Sequence, residues 1–334
     1  MNLISPAPHM KTRRTTKRIM LDVLIALLPA TAAGIVFFGW QAAVILAISL
    51  SSAALTEFLY FIVKEKIRVQ PKEKLKKFIA QFDYTSLITG LLLGLCLPAN
   101  VGGWYMPLLG SIFAVAVVKM LFGGTGKNIV NPALAGRIFL FISFAAMTSY
   151  PAPRYGALLS SGGALQTGAT QLSNLLNGNP VLSPLDLFLG TGVAGCIGET
   201  CKLALLLGGI YLIARGVIKW YLPLLYLAAE GLFAVALEGF DFSYFLPSVL
   251  SGGLVLGAIF MATDYTTTPK TFWGNLVYFL ALGLLTAGLR KATGLEVVSF
   301  CILFMNFLVF LLDLVFKPRP FGYRREKKKK EAKK

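Results

Sequence analysis

The sequence predicts an all-α integral membrane protein of about ten transmembrane helices, with both termini on the cytoplasmic side. Of its 334 residues, 56% are hydrophobic and 14% are charged. A soluble domain has about 45 to 50% apolar and about 25% charged residues, so this chain is too apolar for a water-soluble core. The lysines and arginines, which give a net charge of +17, lie in blocks between long apolar runs. Because they do not form basic faces, they do not indicate a nucleic-acid partner.

Ten apolar segments are candidates for membrane-spanning helices. A helix needs about 20 apolar residues to cross a bilayer, and a shorter one is tolerated where neighbouring helices bury its ends. The first five segments cover residues 19–38, 42–63, 84–97, 105–122 and 132–147. The second five cover residues 201–214, 221–237, 245–262, 272–289 and 297–316. The third and the sixth cannot be assigned by length alone.

The basic residues test this arrangement independently, because lysine and arginine collect in cytoplasmic loops. With the N-terminus inside, most of the 32 basic residues fall on the cytoplasmic side. One span more or fewer would move either the lysine-rich loop 64–77 or the tail 327–330 to the outside. The cytoplasmic location of that tail and its attraction to anionic lipid explain its positive charge. The chain therefore divides into a basic segment 1–18, a first half 19–148, an extracytoplasmic loop 149–200, a second half 201–316 and a basic tail 317–334.

A short repeat relates the two halves. The third segment contains GLLLG at 90–94 and the eighth contains GLVLG at 253–257, each followed five residues later by an alanine. The offset is five spans, an odd number, which predicts two inverted five-helix repeats. A chance match between glycine- and leucine-rich helices is the alternative. Inverted repeats also suit a channel or a secondary transporter, which is the rival function.

The longest non-cytoplasmic connection, residues 149–183, is rich in Gly, Ser, Thr, Asn and Gln. It contains the motif Thr167-Gly168-Ala169-Thr170. Taken by their residue types alone, these positions favour a hydroxyl-rich surface loop over a binding site.

Ionisable residues at membrane depth are functional candidates, because burying them costs free energy. Asp264 ends the eighth segment beside several threonines, where it suits either a helix or turn cap, which is favoured, or a cation site. Glu57 and Glu230 are expected to pair with lysine or to form hydrogen bonds between helices. Glu199 and Asp313 are further candidates of this kind.

Cys196 and Cys201 lie five residues apart at the start of the sixth segment. The four cysteines show no CxxC pairing, and we interpret them as small apolar residues. A metal or cluster ligated jointly with a partner chain is the alternative for this pair.

Several short motifs lie at the ends of the predicted helices. They are RIMLD at 18–22, FGG at 122–124, GKN at 126–128, NPALAGR at 131–137, GET at 198–200 and MATD at 261–264. Together they resemble the D subunits of the Rnf complex, the membrane ferredoxin:NAD oxidoreductase. They are similar, more distantly, to the B subunit of the sodium-pumping NADH:quinone reductase. The resemblance covers nearly the whole chain.

The resemblance implies covalent FMN on Thr170. In that family FMN is joined through its phosphate to the last hydroxyl residue of an S/T-G-A-T/S motif, and Thr167, Gly168 and Ala169 match the three preceding positions. An exposed loop with small neighbours suits the flavin transferase that makes the ester. Relatives also carry riboflavin, and the start of the fifth helix with Arg137 is a candidate pocket for this second, non-covalent flavin. Helix packing is the alternative for that segment.

The resemblance also implies a function. The chain would carry electrons through FMN in a redox-driven pump that couples ferredoxin and NAD chemistry to Na⁺ or H⁺ translocation, the flavin supplying the redox chemistry. The implied partners are other Rnf subunits, including the flavin-bearing G subunit and the membrane A and E subunits, in a bacterial or archaeal cytoplasmic membrane. The glycine-rich runs have no βαβ unit around them, so the chain alone is not expected to bind NAD.

Overall fold

A computed structural model describes residues 15–64, 78–79, 82–153, 168, 170–264 and 266–317. These residues form helices joined by turns, and they contain no β-strand beyond an isolated bridge between Pro98 and Cys196. The all-α class expected from the sequence is confirmed.

Five helices form the first half of the described chain. They are α1 (Thr16–Phe38), α2 (Trp40–Lys64), α3 (Thr85–Leu95), α4 (Tyr105–Ile112) and α5 (Pro132–Ser143). A π-helix, Phe113–Met120, continues α4, and a 3₁₀ turn, Ala145–Thr148, follows α5. The Asn131 side chain begins α5 by accepting a hydrogen bond from the Ala133 N–H, as is typical of an N-cap.

Two short helices and the helices of the second half follow. They are α6 (Gln171–Leu176), α7 (Pro184–Leu189), α8 (Lys202–Ala214), α9 (Tyr221–Leu237), α10 (Phe245–Leu250), α11 (Leu254–Leu256), α12 (Phe272–Thr293) and α13 (Val298–Val315). A 3₁₀ turn, Phe242–Tyr244, precedes α10, and a π-helix, Gly257–Met261, continues α11.

Four helices in the described part of the chain are long and apolar enough to cross a membrane, namely α1, α2, α12 and α13. A fifth span results if the bent pair formed by α10 and α11 is counted as one. The other predicted spans coincide with shorter apolar helices, which are α3, α4 with its π extension, α5, α8 and α9.

The eighth predicted span, residues 245–262, is not one straight helix, which corrects the expectation from sequence. Phe242–Leu250 and Leu254–Met261 meet at an angle of 69°. Ser251 between them is extended and Gly252 has a φ of 61°, and neither conformation continues a helix. The break was not predicted because serine and glycine are common inside membrane helices.

The two halves of the chain meet along two helix pairs. α1 packs against α8, and α5 packs against α13. At Gly208 of α8, an added Cβ would lie 2.1 Å from the carbonyl oxygen of Ala26 in α1, so only glycine permits this approach. Buried apolar side chains from both halves, among them Leu27, Leu134 and Phe260, form a continuous core.

Candidate functional site

Thr170 lies at the N-terminus of α6, on the connection between α5 and α8. Its Oγ1 accepts a hydrogen bond from the Ser173 N–H at 3.2 Å, so the threonine is the N-cap of the helix. Its side chain is partly exposed. Two of the other motif positions, Thr167 and Ala169, lie outside the described residues.

The chain on either side of Thr170 is fixed to the body of the protein. The Gly168 N–H donates to the Tyr150 carbonyl oxygen at 3.0 Å. The Gln171 side chain accepts a hydrogen bond from the Leu182 N–H at 3.1 Å, and Leu172 is buried. The residue predicted to carry FMN is therefore a half-exposed hydroxyl at a defined position.

Arg137 lies away from the start of its helix and is enclosed by protein. Its Nη1 donates to the Ser299 hydroxyl of α13 at 2.7 Å, and its Nη2 lies 3.9 Å from the Cys196 sulfur. Only 6% of the residue is exposed. The guanidinium thus ties α5 to α13, and it does not line the cavity at the other end of α5.

Glu199 belongs to the same buried region as Arg137. One carboxylate oxygen accepts a hydrogen bond from the Cys196 N–H at 2.8 Å, and the Lys202 ammonium donates to the Glu199 carbonyl oxygen at 2.5 Å. Cys196 is buried, while Cys201 is half-buried before the start of α8. No group of three His, Cys, Asp or Glu side chains among the described residues is arranged to hold a metal ion.

A cavity of about 120 Å³ lies between the two halves, at the end of the bundle where α5 begins. Its walls come from α1, α3, the start of α5, the end of α8 and the π-helix that follows α11. The polar residues that line it are Thr85, Thr89, Lys119, Thr125, Asn128, Asn131, Thr263, Asp264 and Thr266. It therefore combines an apolar wall with a polar end, as ligand pockets commonly do.

Asp264 lies in the wall of this cavity. Its carboxylate accepts hydrogen bonds from the Thr266 hydroxyl at 2.7 Å and from the Thr266 N–H at 3.2 Å. Asn128 donates to the same hydroxyl at 3.3 Å, which links the glycine-rich turn of the first half to the second half. Asp264 thus makes the bonds of a turn-forming carboxylate and also faces the cavity.

Lys119 is a functional candidate that sequence reasoning did not single out. It ends the π-helix after α4, and only 2% of it is exposed. Its ammonium pairs with Glu57 at 3.2 Å and donates to the Ser86 hydroxyl at 2.8 Å and to Thr85. The expected pairing of Glu57 with a lysine is confirmed. The sequence signal that could have identified Lys119 is its position at the end of an apolar run.

A second buried ion group surrounds Glu230, whose expected hydrogen bonds between helices are confirmed, whereas its partner Arg290 was not singled out from the sequence. Arg290 of α12 donates to Glu230 of α9 at 2.7 Å and to Glu296 at 3.1 Å. Its guanidinium also donates to the carbonyl oxygens of Ser248 and Ser251, at 3.1 and 3.2 Å, where the chain breaks after α10. We refer to Arg290, Glu230, Glu296, Ser248 and Ser251 as the Arg290 group.

The fold and these sites define a class: a polytopic helical membrane protein in two packed halves, with an inter-half cavity at one end and the partly exposed Thr170 on the loop at the other. The profile of the NQR2, RnfD, RnfE family matches residues 3–322. The chain belongs to this family, which confirms the resemblance drawn from the motifs.

Three characterised relatives span almost the whole chain. The D subunit of the Na(+)-translocating ferredoxin:NAD(+) oxidoreductase complex of Acetobacterium woodii is 40% identical over 334 residues, covering 98% of each chain. The D subunit of the proton-translocating ferredoxin:NAD(+) oxidoreductase complex of Clostridium ljungdahlii is 37% identical, covering 96% of each. The D subunit of the ion-translocating oxidoreductase complex of Stutzerimonas stutzeri is 35% identical, covering 93% of each.

Proposed function

We propose that this protein is the D-type membrane subunit of a redox-driven ion-translocating complex, and that it carries electrons through FMN esterified to Thr170. The family, and relatives named as D subunits of ferredoxin:NAD(+) oxidoreductase complexes, support this assignment. The proposed partners are the flavin-bearing G subunit and the membrane A and E subunits, in a bacterial or archaeal cytoplasmic membrane.

The geometry of Thr170 suits an FMN ester. In the N-cap, Oγ1 accepts a hydrogen bond from the Ser173 N–H, and this bond does not involve the hydroxyl proton. Replacing that proton by a phosphoryl group therefore leaves the capping bond in place. When bound, the flavin supplies one-electron redox chemistry. The protein contributes a fixed attachment point, because Gly168 and Gln171 hold the chain on both sides.

Flavin fluorescence of the denatured polypeptide tests this proposal. Protein made in a host that contains the flavin transferase should give a fluorescent band under ultraviolet light after denaturing electrophoresis. Thr170→Ala should abolish the band and Thr170→Ser should keep it, since the motif accepts either hydroxyl. Thr148→Ala, which removes a nearby exposed hydroxyl, should have no effect. A colourless wild-type chain, or fluorescence that survives Thr170→Ala, would reject the covalent flavin and leave the channel or secondary transporter as the rival.

The cavity at the start of α5 is our proposed site for the second, non-covalent flavin. The cavity lies between the helices of a bundle, a place where small-molecule sites commonly occur. Asn128, Thr266 and Asp264 offer donors and acceptors at its polar end. Arg137, the candidate that the sequence indicated, does not line this cavity, and its bond to Ser299 favours the packing alternative.

Filling the cavity tests the second flavin. Val217→Trp places an indole against the cavity wall and should reduce the flavin released by acid extraction, while the covalent flavin stays. Leu224→Trp, on an exposed position of α9, is the matched control. Equal amounts of extractable flavin in the two variants would rule out this cavity as the site.

We also propose ten spans arranged as two inverted repeats. α1 contacts α8 and α5 contacts α13, and each of these pairs joins helices five spans apart, which is compatible with a two-fold axis between the halves. The matched glycines do not share one environment, because Gly94 faces α2 whereas its counterpart Gly257 faces α13. Alkaline phosphatase fused at residue 178 should be active and a fusion at residue 125 inactive. The reverse result would overturn the orientation.

A further inference from the structure

The Arg290 group contains two buried polar atoms that lack partners. Glu230 is fully buried, and its Oε1 accepts from Arg290 and from the Ser248 hydroxyl, each within 2.8 Å. Among the described residues, its other oxygen, Oε2, has no hydrogen-bond partner, and neither has the Nε–H of Arg290. Burying both groups without a hydrogen-bond partner costs free energy, so we expect a small polar molecule to lie beside them.

A pocket of about 20 Å³, enough for one water molecule, lies against these two residues. One wall is formed by leucines of α6, the helix that begins at Thr170, and the others by α9, α12 and the turn before α10. Glu238 and Lys291 form an ion pair at its rim, where the lysine side chain is 46% exposed. Water can therefore reach the buried carboxylate from the same end of the bundle that presents Thr170.

The chemistry of the pocket favours a proton over a metal cation. A water molecule that accepts from the Arg290 Nε–H and donates to Glu230 Oε2 satisfies both groups at once. A sodium ion would lie against the guanidinium charge, and it would need several oxygen ligands beyond Oε2. A proton becomes part of the carboxyl group and needs only the water that delivers it.

We propose that Glu230 is a proton-exchange residue that opens to the extracytoplasmic side of the complex. A hydronium ion in the pocket gives its proton to Oε2, forming a neutral carboxyl group and leaving water; release is the reverse. This inference rests on the proposed ion-translocating function. The titratable and charged groups that face Glu230 are Tyr226, Glu238, Tyr244, Arg290, Lys291 and Glu296.

Carbodiimide labelling of the assembled complex in membranes tests the site directly. Dicyclohexylcarbodiimide adds to protonated carboxyl groups in apolar surroundings and leaves a stable acylurea that peptide mass spectrometry locates. We expect labelling of Glu230 that falls as the pH rises, by about tenfold per pH unit once the ionised carboxylate predominates. Glu238, whose ion pair with Lys291 lies at the exposed rim, is the internal control and should stay unlabelled. Absence of label on Glu230 at every pH, or protection by sodium at constant pH, would overturn the proposal.

Proton release in vesicles tests the role. Glu230→Gln keeps the size and the acceptor for Arg290 but cannot take up a proton. We expect normal electron transfer with proton release per electron lowered by about tenfold or more. Asp241→Asn, an exposed acid on the same side of the chain, should release protons normally. Normal release by Glu230→Gln would contradict the proposal. Because flavin fluorescence on the denatured chain is scored separately, a missing FMN would be recognised as a failure of the proposed function instead.

Discussion

Sequence motifs indicate single candidate residues, whereas the contacts of those residues depend on packing. Thr170 is proposed from a four-residue pattern, but its capping bond to Ser173 depends on where α6 begins. Arg137 was a candidate for a flavin pocket at the start of α5, with helix packing as the alternative. In the helix its side chain points toward Ser299 of α13, a contact between residues 162 positions apart that no local pattern contains.

Arg290 gives the first prediction at this scale. Arg290→Gln removes the cation that two buried carboxylates share and leaves both uncompensated. Breaking a buried ion pair from one side costs about 3 to 5 kcal/mol, so we expect a clear loss of thermal stability of the purified protein in detergent. Lys291→Gln is the matched control, since its exposed pair with Glu238 is worth about 1 kcal/mol or less. Similar melting temperatures for the two variants would show that the Arg290 group does not stabilise the fold.

At the scale of helices, the sequence predicted where the apolar helices lie but did not predict the bends within them. Each predicted span contains a helix in the described chain, including α3 and α8, which are short. The bend after α10 was missed because the sequence of the eighth segment is apolar on both sides of Ser251. What holds the break open is Arg290, which bonds the free carbonyl oxygens there and lies on a different helix.

Gly252 gives the prediction for this bend. Its φ is 61°, and an added Cβ would lie 1.7 Å from a carboxylate oxygen of Glu296. Gly252→Ala therefore combines left-handed strain of about 1 kcal/mol with displacement of Glu296 from Arg290. Gly239→Ala carries the same kind of strain, with φ of 74° and open space around it. Thermal unfolding should show a larger loss for Gly252→Ala, and equal losses would mean that Glu296 moves freely.

For the whole molecule, charge bias and apolar length predicted the class, and the interface between the halves came from the structure alone. The repeat was inferred from glycine spacing, yet the support for two related halves comes from the pairs α1 with α8 and α5 with α13. Such contacts join residues far apart in the chain, and the hydrophobic periodicity of a single sequence does not reveal them.

The junction of α1 and α8 is testable through Gly208. Gly208→Val would drive a side chain into the Ala26 carbonyl group, and overpacking of this kind costs about 1 to 3 kcal/mol. We expect a lower melting temperature and a smaller yield of folded protein by size-exclusion chromatography. Gly288→Val, where nothing lies within 4 Å of the added Cβ, is the control. A normal Gly208→Val protein would mean that the halves are not held together at this crossing.

The π-helix at Phe113–Met120 has a consequence for how mutants of this protein should be designed. A π turn accommodates one residue more than an α turn, so a shortened chain can relax into ordinary α geometry. Deleting Val117 would then convert a π turn into an α turn and keep the side chains beyond it on nearly the same face, so Lys119 should stay paired with Glu57. A one-residue deletion should therefore be tolerated here, whereas the same deletion inside the regular helix α2 would turn everything beyond it by about 100°.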